Sequence, residues 1–366
     1  MMKILILANN DVGLFKFRKE LLKELVAYHN VYVSVPDGDF IDEIKNMGCR
    51  VRVNRWLERR GKNPLKDLKL FRHYCQIIHT IQPHVVFTYT VKPNVYGGIA
   101  CRKYHIPYVA NVTGLGTAIE NGGLLQKITL LLYKIGLKNA QKVFFQNKEN
   151  RDFMVRHGMV AGNYDVLPGS GVNIQEHYYV DYPVDDGGMI FLTIGRIMKD
   201  KGIDEILSAA ETLRKEYPNC RLRLIGGFDE QYEEKVKKFQ SRGVIEYIGQ
   251  QKDIHPFLAE SHAVIHASYH EGMSNVLLES AATGRPVIAS DIPGCRETYE
   301  EGITGIGFKP KDVEDLVRAL IQFVNLSYDE KKEMGRAGRK KIEKEFDRRI
   351  VIKAYQQEID KIAEEI

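Results

Sequence analysis

The chain has 366 residues, of which 44% are hydrophobic and 28% charged, a composition typical of a soluble globular protein with two domains. No apolar run approaches the roughly 18 residues that a membrane-spanning helix needs, and the N-terminal segment becomes polar too early for a signal peptide. Five scattered cysteines without Cys-x-x-Cys spacing argue against a disulfide framework or a zinc site and favour a cytoplasmic compartment.

The net charge of +5 is divided unevenly along the chain. Residues 1–170 contain 25 Lys and Arg against 13 Asp and Glu, whereas residues 171–366 contain 28 against 35. This asymmetry predicts that the first half meets an anionic surface or ligand. Nucleic acid and anionic lipid both fit the charge, but the amphipathic segment 122–142 favours lipid, so we expect no nucleic-acid partner.

Strand-like and helix-like segments alternate through both halves. In the first half, strands are expected at residues 3–9, 31–36, 50–54, 85–90, 108–113, 143–147 and 164–167, with helices at 16–27, 40–47, 65–80 and 94–104 among those between them. In the second half, strands are expected at 189–195, 221–226, 244–248, 263–268 and 286–290, with helices at 202–217, 230–240, 254–260, 275–283 and 313–324.

Several of these strands are apolar almost throughout, which is typical of parallel sheets covered on both faces. We therefore predict an α/β fold of two doubly wound, Rossmann-like parallel-sheet domains that face a central cleft. The first domain is expected at residues 1–170 and the second at 171–348. The segment 168–188, rich in Gly, Pro and Asp, is interpreted as the linker, and residues 349–366 as a separate terminal segment that contains an amphipathic helix.

Two first-half loops follow predicted strands and contain glycines. Gly13 follows the first strand and allows close approach of a phosphate or sugar, although a tight turn explains it equally well. Thr113, Gly114 and Gly116 follow another strand and offer a hydroxyl and space for a ligand, although a flexible loop is as good an explanation. The segment Asp37-Gly38-Asp39 is interpreted as a turn, so no metal site is expected.

Residues 122–142 combine a wide apolar stripe with flanking Lys127, Lys134 and Lys138, the pattern of an interfacial helix. A helix packed on a core has the same pattern, so both interpretations stay open. A second basic stretch that includes the only Trp supports the membrane interpretation. Its members are Arg55, Trp56, Arg59, Arg60, Lys62, Lys66, Lys69 and Arg72.

The second half contains the most informative motif, in which Glu271 and Glu279 bracket the expected start of a helix. A helix N-terminus binds anions, and carboxylates on either side of such a site suit the hydroxyls of a sugar and a ribose. Ser274 or Asn275 can cap this helix. After the first strand of this half, Gly195 precedes Arg196 and Lys201, whose charges suit a diphosphate. His266 is interpreted as packing within a strand.

Together these residues resemble the retaining GT-B glycosyltransferases of family four. The resemblance lies in the spacing of Glu271 and Glu279, in Arg196 and Lys201 upstream, and in the Gly13 loop. The segments 15–18, 90–98 and 112–116 are similar to bacterial enzymes that assemble lipid-linked glycans, O-antigen and capsule.

The resemblance implies a UDP-sugar donor, no other cofactor, and a polyprenyl-diphosphate-linked saccharide acceptor met at the inner face of the cytoplasmic membrane. It also implies that the C-terminal helix in residues 349–366 crosses back to the N-terminal domain. It implies that Glu271 contacts the donor sugar, that Glu279 contacts the ribose, and that Arg196 and Lys201 hold the diphosphate. Further donor contacts are implied at Gly13 and Gly195, at Gln250 and Gln251 for uracil, and at Met273, Ser274, Asn275 and Val276. Acceptor contacts are expected at Thr113, Gly114, Lys127 and Lys134.

Many relatives have a histidine where this chain has Thr113, so no catalytic histidine is expected there. A UDP-sugar 2-epimerase and a non-catalytic UDP-sugar-binding subunit remain alternatives. The former would need proton-transfer residues that the sequence does not identify.

Overall fold

The computed structural model describes residues 1–58, 63–115, 123–160 and 162–365. Four residues singled out in the sequence lie outside this part of the chain: Arg59, Arg60, Lys62 and Gly116.

The chain divides into two compact units, one made of Met1–Ser170 with Arg348–Ile366 and the other of Gly171–Asp347. Each unit contains one parallel sheet whose strands alternate with helices. The predicted α/β class, with two doubly wound parallel-sheet domains, is therefore confirmed.

The first unit is a seven-stranded sheet in the order β3-β2-β1-β4-β5-β6-β7. Its elements are β1 (Lys3–Leu7), α1 (Asp11–Tyr28), β2 (Asn30–Val35), α2 (Ile41–Asn46), β3 (Arg50–Val53), α3 (Pro64–Ile81), β4 (Val85–Tyr89), a π-helical turn (Pro93–Gly97), α4 (Gly98–Lys103), β5 (Tyr108–Val112), α5 (Gly123–Leu137), β6 (Lys142–Phe145), α6 (Lys148–Arg156), β7 (Tyr164–Val166) and α13 (Arg348–Glu364). Leu5 in the central strand lies in register with Tyr32 and Val86.

Both faces of this first sheet are covered. One core lies under α1, α2 and α13, and the other under α3, α4 and α5. The C-terminal helix α13 is held by buried apolar residues such as Val351 and Ile359, by an ion pair between Arg348 and Glu20, and by hydrogen bonding between Tyr355 Oη and Asn111 Oδ1.

The second unit is a six-stranded sheet in the order β10-β9-β8-β11-β12-β13. Its elements are β8 (Met189–Ile194), a 3₁₀ turn (Lys199–Lys201), α7 (Ile203–Glu216), β9 (Cys220–Ile225), α8 (Glu233–Ser241), β10 (Glu246–Gly249), α9 (His255–Glu260), β11 (Ala263–His266), α10 (Asn275–Ala282), β12 (Val287–Ser290), a 3₁₀ turn (Arg296–Thr298), β13 (Gly305–Phe308), α11 (Val313–Val324) and α12 (Tyr328–Glu345). Because β8 and β11 are neighbours, the loops that follow them lie side by side.

Some elements differ from the prediction. The strand β13 and the helix α12 were not predicted, and the helix expected at 94–104 begins as a π-helical turn. The expected linker 168–188 is partly packed, because Val172 and Tyr182 are buried and Tyr182 Oη donates to His262 O at 3.1 Å.

Among the described residues, the helices are all too short or too polar to span a bilayer.

Candidate functional site

The loop after β8 begins with a close approach between two backbone segments. A Cβ atom on Gly226 would lie 1.7 Å from the carbonyl oxygen of Gly195, so the loops after β8 and β9 can meet only if residue 226 is glycine. Lys201 ends the 3₁₀ turn, and Gly202 then adopts a left-handed conformation at the start of α7. The conformation of this short, glycine-bounded loop thus places Lys201 near the carboxyl end of β8.

The loop after β11 is joined to the loop after β8. The backbone N–H of Tyr269 donates to Asp200 O at 2.9 Å, and Tyr269 Oη donates to Glu205 Oε1 at 2.7 Å. A Cβ on Gly202 would lie 2.2 Å from Ala267 O, so the two loops touch through their backbones. This contact brings Lys201 against the side chain of Glu271.

Glu271 is held through one of its two carboxylate oxygens. Lys201 Nζ forms an ion pair with Glu271 Oε1 and also lies 3.3 Å from Ser268 Oγ. His266 Nε2 lies 2.9 Å from the same Glu271 oxygen. Within the described chain, no hydrogen bond to the second oxygen, Oε2, is found, so this oxygen can accept from a ligand hydroxyl.

The same neighbours keep Glu271 ionised. Burial alone would raise the pKa of its carboxyl, but the Lys201 ammonium and the His266 hydrogen bond outweigh burial and lower the pKa to about 2 from an ordinary value of 4.5. Only 15% of the side chain is exposed, so the charge is poorly screened by solvent. The carboxylate therefore acts as an acceptor in this site and not as an acid.

This pKa shift predicts acid-dependent stability. A lowered pKa in the folded state stabilises the fold above pH 4.5, and that contribution is lost as the pH falls from 4.5 towards 2. The Glu271→Gln variant should be less stable than wild type at neutral pH by on the order of 3 kcal/mol. Urea unfolding at a series of pH values measures the difference in free energy of unfolding between wild type and Glu271→Gln. This difference should become smaller below pH 4.5. A difference that does not change with pH would contradict the ionised pair of Lys201 and Glu271.

The helix α10 begins at a serine cap beside Glu271. Ser274 Oγ accepts from Leu277 N at 3.4 Å, as predicted for one of the two candidate caps, and lies 3.1 Å from His266 Nε2. The backbone N–H of Ser274 already donates to Gly294 O at 2.8 Å, which removes it from the expected ligand donors. The first turn of α10 follows directly after this cap, and the first turn of a helix is where backbone N–H groups bind anions.

Arg196 lies in the same loop after β8 as Lys201. Both cations line one pocket at the end of β8, together with Gly195, His266 and Thr193. Arg196 Nη1 is paired with Asp229 Oδ2, and its side chain is 40% exposed. The other lining residues are mostly apolar, among them Ile203, Ile206 and Leu224, so the pocket is a small gap beside the two cations.

The other predicted donor-binding residues of the second unit differ in burial and in hydrogen bonding. Glu279 is on α10, and its Oε1 lies 3.9 Å from His177 Nε2. Gln250 is exposed at the end of β10, and Gln251 Nε2 donates to Ile248 O at 3.0 Å. Met273 is buried in the core, so its side chain is structural and only its backbone can serve a ligand.

The remaining candidate residues lie in the first unit. Gly13 lies in the first turn of α1 and not in a loop; its N–H donates to the capping Asn10, and a Cβ would lie 2.6 Å from Asn10 Oδ1. A side chain at this position would therefore have to displace the capping Asn10 side chain, which is a local reason for glycine here. Thr113 and Gly114 follow β5 as expected, and Lys127 and Lys134 are exposed on α5.

Sequence reasoning missed three polar residues of the site. His266 was assigned to strand packing, but it bonds to Glu271 and lies against Ser274. Ser268 lies 3.3 Å from Lys201 Nζ. Thr193 Oγ1 is buried beside the pocket without a hydrogen-bond partner in the described chain. The only available signal was their position at the carboxyl ends of β8 and β11, where ligands of such sheets bind.

Two proteins of known structure have the same fold. Sucrose-phosphate synthase from Thermosynechococcus elongatus matches with a TM-score of 0.84 at 19% identity, covering 100% of both chains. HepE from Anabaena, in complex with UDP and glucose, matches with a TM-score of 0.79 at 18% identity, covering 98% of this chain and 100% of that chain.

A relative in sequence is the N,N'-diacetylbacillosaminyl-diphospho-undecaprenol alpha-1,3-N-acetylgalactosaminyltransferase of Campylobacter jejuni. It is 27% identical over 332 residues, which cover 86% of this chain and 87% of the relative.

Two family models match successive parts of the chain. Residues 3–147 match the family described as glycosyl transferase 4-like, and residues 175–341 match glycosyl transferases group 1. The chain therefore belongs to the glycosyltransferases, with a glycosyl transferase 4-like first half and a group 1 second half.

Proposed function

We propose that the protein transfers a hexose or N-acetylhexosamine from a UDP-sugar to a saccharide carried on a polyprenyl diphosphate, with retention of anomeric configuration. The observation that carries this proposal is the group of Lys201, Glu271 and His266 beside the start of α10. The Campylobacter relative is named for an acceptor on undecaprenol diphosphate, and HepE was solved with UDP and glucose. These names support the classes of acceptor and donor.

Each donor group has a matching set of side chains. Lys201 uses two of its three N–H donors on Ser268 and Glu271, which leaves one for a phosphate oxygen. The first-turn N–H groups of α10 and the Arg196 guanidinium add to this anion site. Oε2 of Glu271 would accept from a hydroxyl of the donor sugar, and Glu279 from the ribose.

Two further sets of contacts belong to the proposal. Gln250 and Gln251 would lie along the uracil. Thr113 and Gly114 would contact the acceptor saccharide, and the exposed Lys127 and Lys134 its diphosphate or the lipid surface that holds it.

The proposed chemistry is a front-face displacement. The bond between the sugar C1 and the UDP oxygen breaks, and the acceptor hydroxyl oxygen bonds to C1 on the same face. The hydroxyl proton passes to an oxygen of the departing phosphate, so neither a protein base nor a metal ion is required. Lys201 stabilises the charge that develops on the leaving diphosphate, and such fixed charges supply a large share of catalysis in acyl and phosphoryl transfer sites.

The test is to incubate the purified protein with UDP-glucose, UDP-galactose or their N-acetyl forms and a polyprenyl-diphosphate-linked saccharide. The expected result is transfer with one preferred donor, and NMR of the product should show the anomeric configuration of that donor. Release of a free 2-epimer would instead indicate an epimerase. Binding without turnover would indicate a non-catalytic subunit, and an inverted product would contradict retention.

An exposed apolar surface flanked by lysines on α5 supports the lipid-linked acceptor. Ile128, Leu131 and Ile135 recur on one side of this helix and are 46%, 57% and 40% exposed. Lys127 and Lys134 lie beside them, and α5 contains no acidic residue. Exposed apolar side chains flanked by cations, with no anion among them, complement an anionic lipid surface.

The helix α3 adds a second basic and apolar surface on the same face of the first sheet. Leu65 and Leu68 are 71% and 44% exposed near its start. Lys69 Nζ lies 4.7 Å from the centre of the half-exposed Trp56 ring. Because helices in such sheets begin at the carboxyl ends of the strands, α3 and α5 begin at the same edge. The two surfaces support peripheral attachment at the inner face of the cytoplasmic membrane.

Removing three α5 cations should weaken attachment. Each lysine near an anionic surface contributes about 1 kcal/mol, so the Lys127→Gln/Lys134→Gln/Lys138→Gln variant should lose roughly a hundredfold in binding. Co-sedimentation with vesicles of equimolar phosphatidylcholine and phosphatidylglycerol measures this loss. The matched control replaces three exposed second-unit lysines, Lys215, Lys237 and Lys238. Equal losses in both triple variants would contradict a specific surface on α5.

A further inference from the structure

His266 is a polar residue at a buried strand position. Ala263, Val264 and Ile265 of the same short strand are fully buried and apolar, and His266 itself is only 5% exposed. Burying an imidazole costs free energy unless its nitrogen atoms find hydrogen-bond partners. Its Nε2 has two oxygen atoms within reach: Oε1 of Glu271 at 2.9 Å and Oγ of Ser274 at 3.1 Å.

The proton on His266 can be assigned from these neighbours. The Lys201 ammonium is paired with Oε1 of Glu271 and favours the ionised carboxylate, which has acceptors only. A nitrogen 2.9 Å from that oxygen must therefore carry the hydrogen, so His266 Nε2–H is the donor to Glu271. Ser274 Oγ, which accepts from Leu277 N, lies 3.1 Å from the same Nε2.

Two donors thus converge on one oxygen of Glu271 from different strands. Lys201 comes from the turn after β8, and its flexible stem lets the ammonium reach either carboxylate oxygen. His266 comes from β11 and is fixed by its strand and by packing. The rigid donor therefore fixes the orientation of the carboxylate, and the second oxygen, Oε2, is left for a ligand.

We propose that His266 is a positioning residue that holds the Glu271 carboxylate so that Oε2 is presented to the donor sugar. This inference rests on the proposed function, because it assigns the Glu271 carboxylate to the sugar and the α10 N-terminus to the diphosphate. It predicts that His266 affects recognition of the sugar while leaving recognition of UDP intact.

The test compares binding of UDP and of intact UDP-sugar by calorimetry, together with KM and kcat for transfer. His266→Leu should bind UDP as wild type does but lose about ten- to a hundredfold in affinity for the UDP-sugar, the size expected for one charged hydrogen bond. His266→Gln should recover most of this loss, because its amide N–H can take the place of Nε2–H. A loss of UDP affinity equal to the loss of UDP-sugar affinity would overturn the inference.

The matched control is His262, the residue just before β11 at the strand's other end. Its Nδ1 accepts from Ile190 N at 3.1 Å, and the side chain is also buried. His262→Leu should lower the melting temperature without changing the ratio of UDP-sugar to UDP affinity. Equal ratios in His266→Leu and wild type would overturn the positioning role. The positioning role would also be overturned if His266→Gln lost as much UDP-sugar affinity as His266→Leu. The packing of the imidazole ring, and not its N–H, would then be the cause.

Failure of the proposed function would look different. If wild type prefers a UDP-sugar to UDP and Glu271→Gln abolishes that preference, the assignment of Glu271 holds whatever His266 does. If wild type does not prefer the UDP-sugar to UDP, or if Glu271→Gln keeps this preference, the assignment of Glu271 to the donor sugar is wrong. The inference on His266 is then wrong as well.

Discussion

Replacing Lys201 by methionine should lower kcat for sugar transfer by about two to three orders of magnitude, the loss typical of removing one fixed donor from a developing charge. The affinity for the UDP-sugar should fall by much less, because the α10 N-terminus and Arg196 still meet the diphosphate. Steady-state kinetics with the preferred donor, combined with calorimetry for binding, separates the two quantities.

The variant has a second expected effect, on Glu271. Its carboxylate would stay mostly buried without the ammonium that neutralises it, and breaking such a pair typically costs about 3 kcal/mol or more. The double variant Lys201→Met/Glu271→Gln should therefore be more stable than Lys201→Met alone, although neither should transfer sugar well.

The matched control for Lys201 is Lys199, which lies in the same 3₁₀ turn and is exposed. Lys199→Met removes the same formal charge but no contact with Glu271. We expect nearly wild-type kinetics from it. If Lys199→Met and Lys201→Met lose activity to the same extent, general charge in the loop explains the effect and the pairing of Lys201 with Glu271 does not.

Replacing Gly202 by alanine should destabilise the second unit and displace the site. The residue has φ of +67°, a conformation that costs an L-residue about 1 kcal/mol. The added Cβ would also lie 2.2 Å from Ala267 O, a backbone atom that cannot rotate away. Relief requires the loops after β8 and β11 to separate, which moves Lys201 away from Glu271. Displacements of this kind cost about a hundredfold in rate per ångström.

Gly243 isolates the cost of the backbone conformation. It has the same φ of +67°, and nothing lies within 4 Å of the position a Cβ would take. Urea unfolding should show that Gly202→Ala loses at least about 2 kcal/mol more than Gly243→Ala, in the range expected for forced overpacking. Equal losses would mean that the two loops do not touch through Gly202.

Much of the fold followed from local sequence patterns. Apolar runs such as Lys3–Leu7 were recognisable because parallel strands covered on both faces need no polar alternation. The α11 helix was predicted with its observed bounds because its apolar residues recur at helical spacing after the capping Asp312. Residue type and position limited the cap of α10 to Ser274 or Asn275, and the structure selects Ser274.

The missed elements depend on tertiary contacts that a local pattern does not contain. The α12 helix is rich in charge and includes Gly335, which is unfavourable in a helix interior. Glycine is needed at this position because of a contact with another segment: a Cβ on Gly335 would lie 2.2 Å from Gly284 O. The β13 strand is short and has glycine at two of its four positions, so its propensity is weak until it pairs with β12.

The sequence indicated which residues belong to the candidate site, but not which of them contact each other. Glu271, Arg196 and Lys201 stood out from their positions after predicted strands. That Lys201 pairs with Glu271, 70 residues away, depends on β8 and β11 being neighbours, which the chain order does not reveal. His266 was missed because a histidine that bonds to a carboxylate and one that fills a strand core have the same local sequence.

The most direct measurement is a crystal structure of the protein with an intact UDP-sugar. The account predicts the diphosphate within hydrogen-bonding distance of Lys201 Nζ and the first-turn N–H groups of α10, with a sugar hydroxyl on Oε2 of Glu271 and the ribose on Glu279. A nucleotide bound elsewhere, or a sugar that leaves Oε2 of Glu271 in contact with solvent alone, would contradict it.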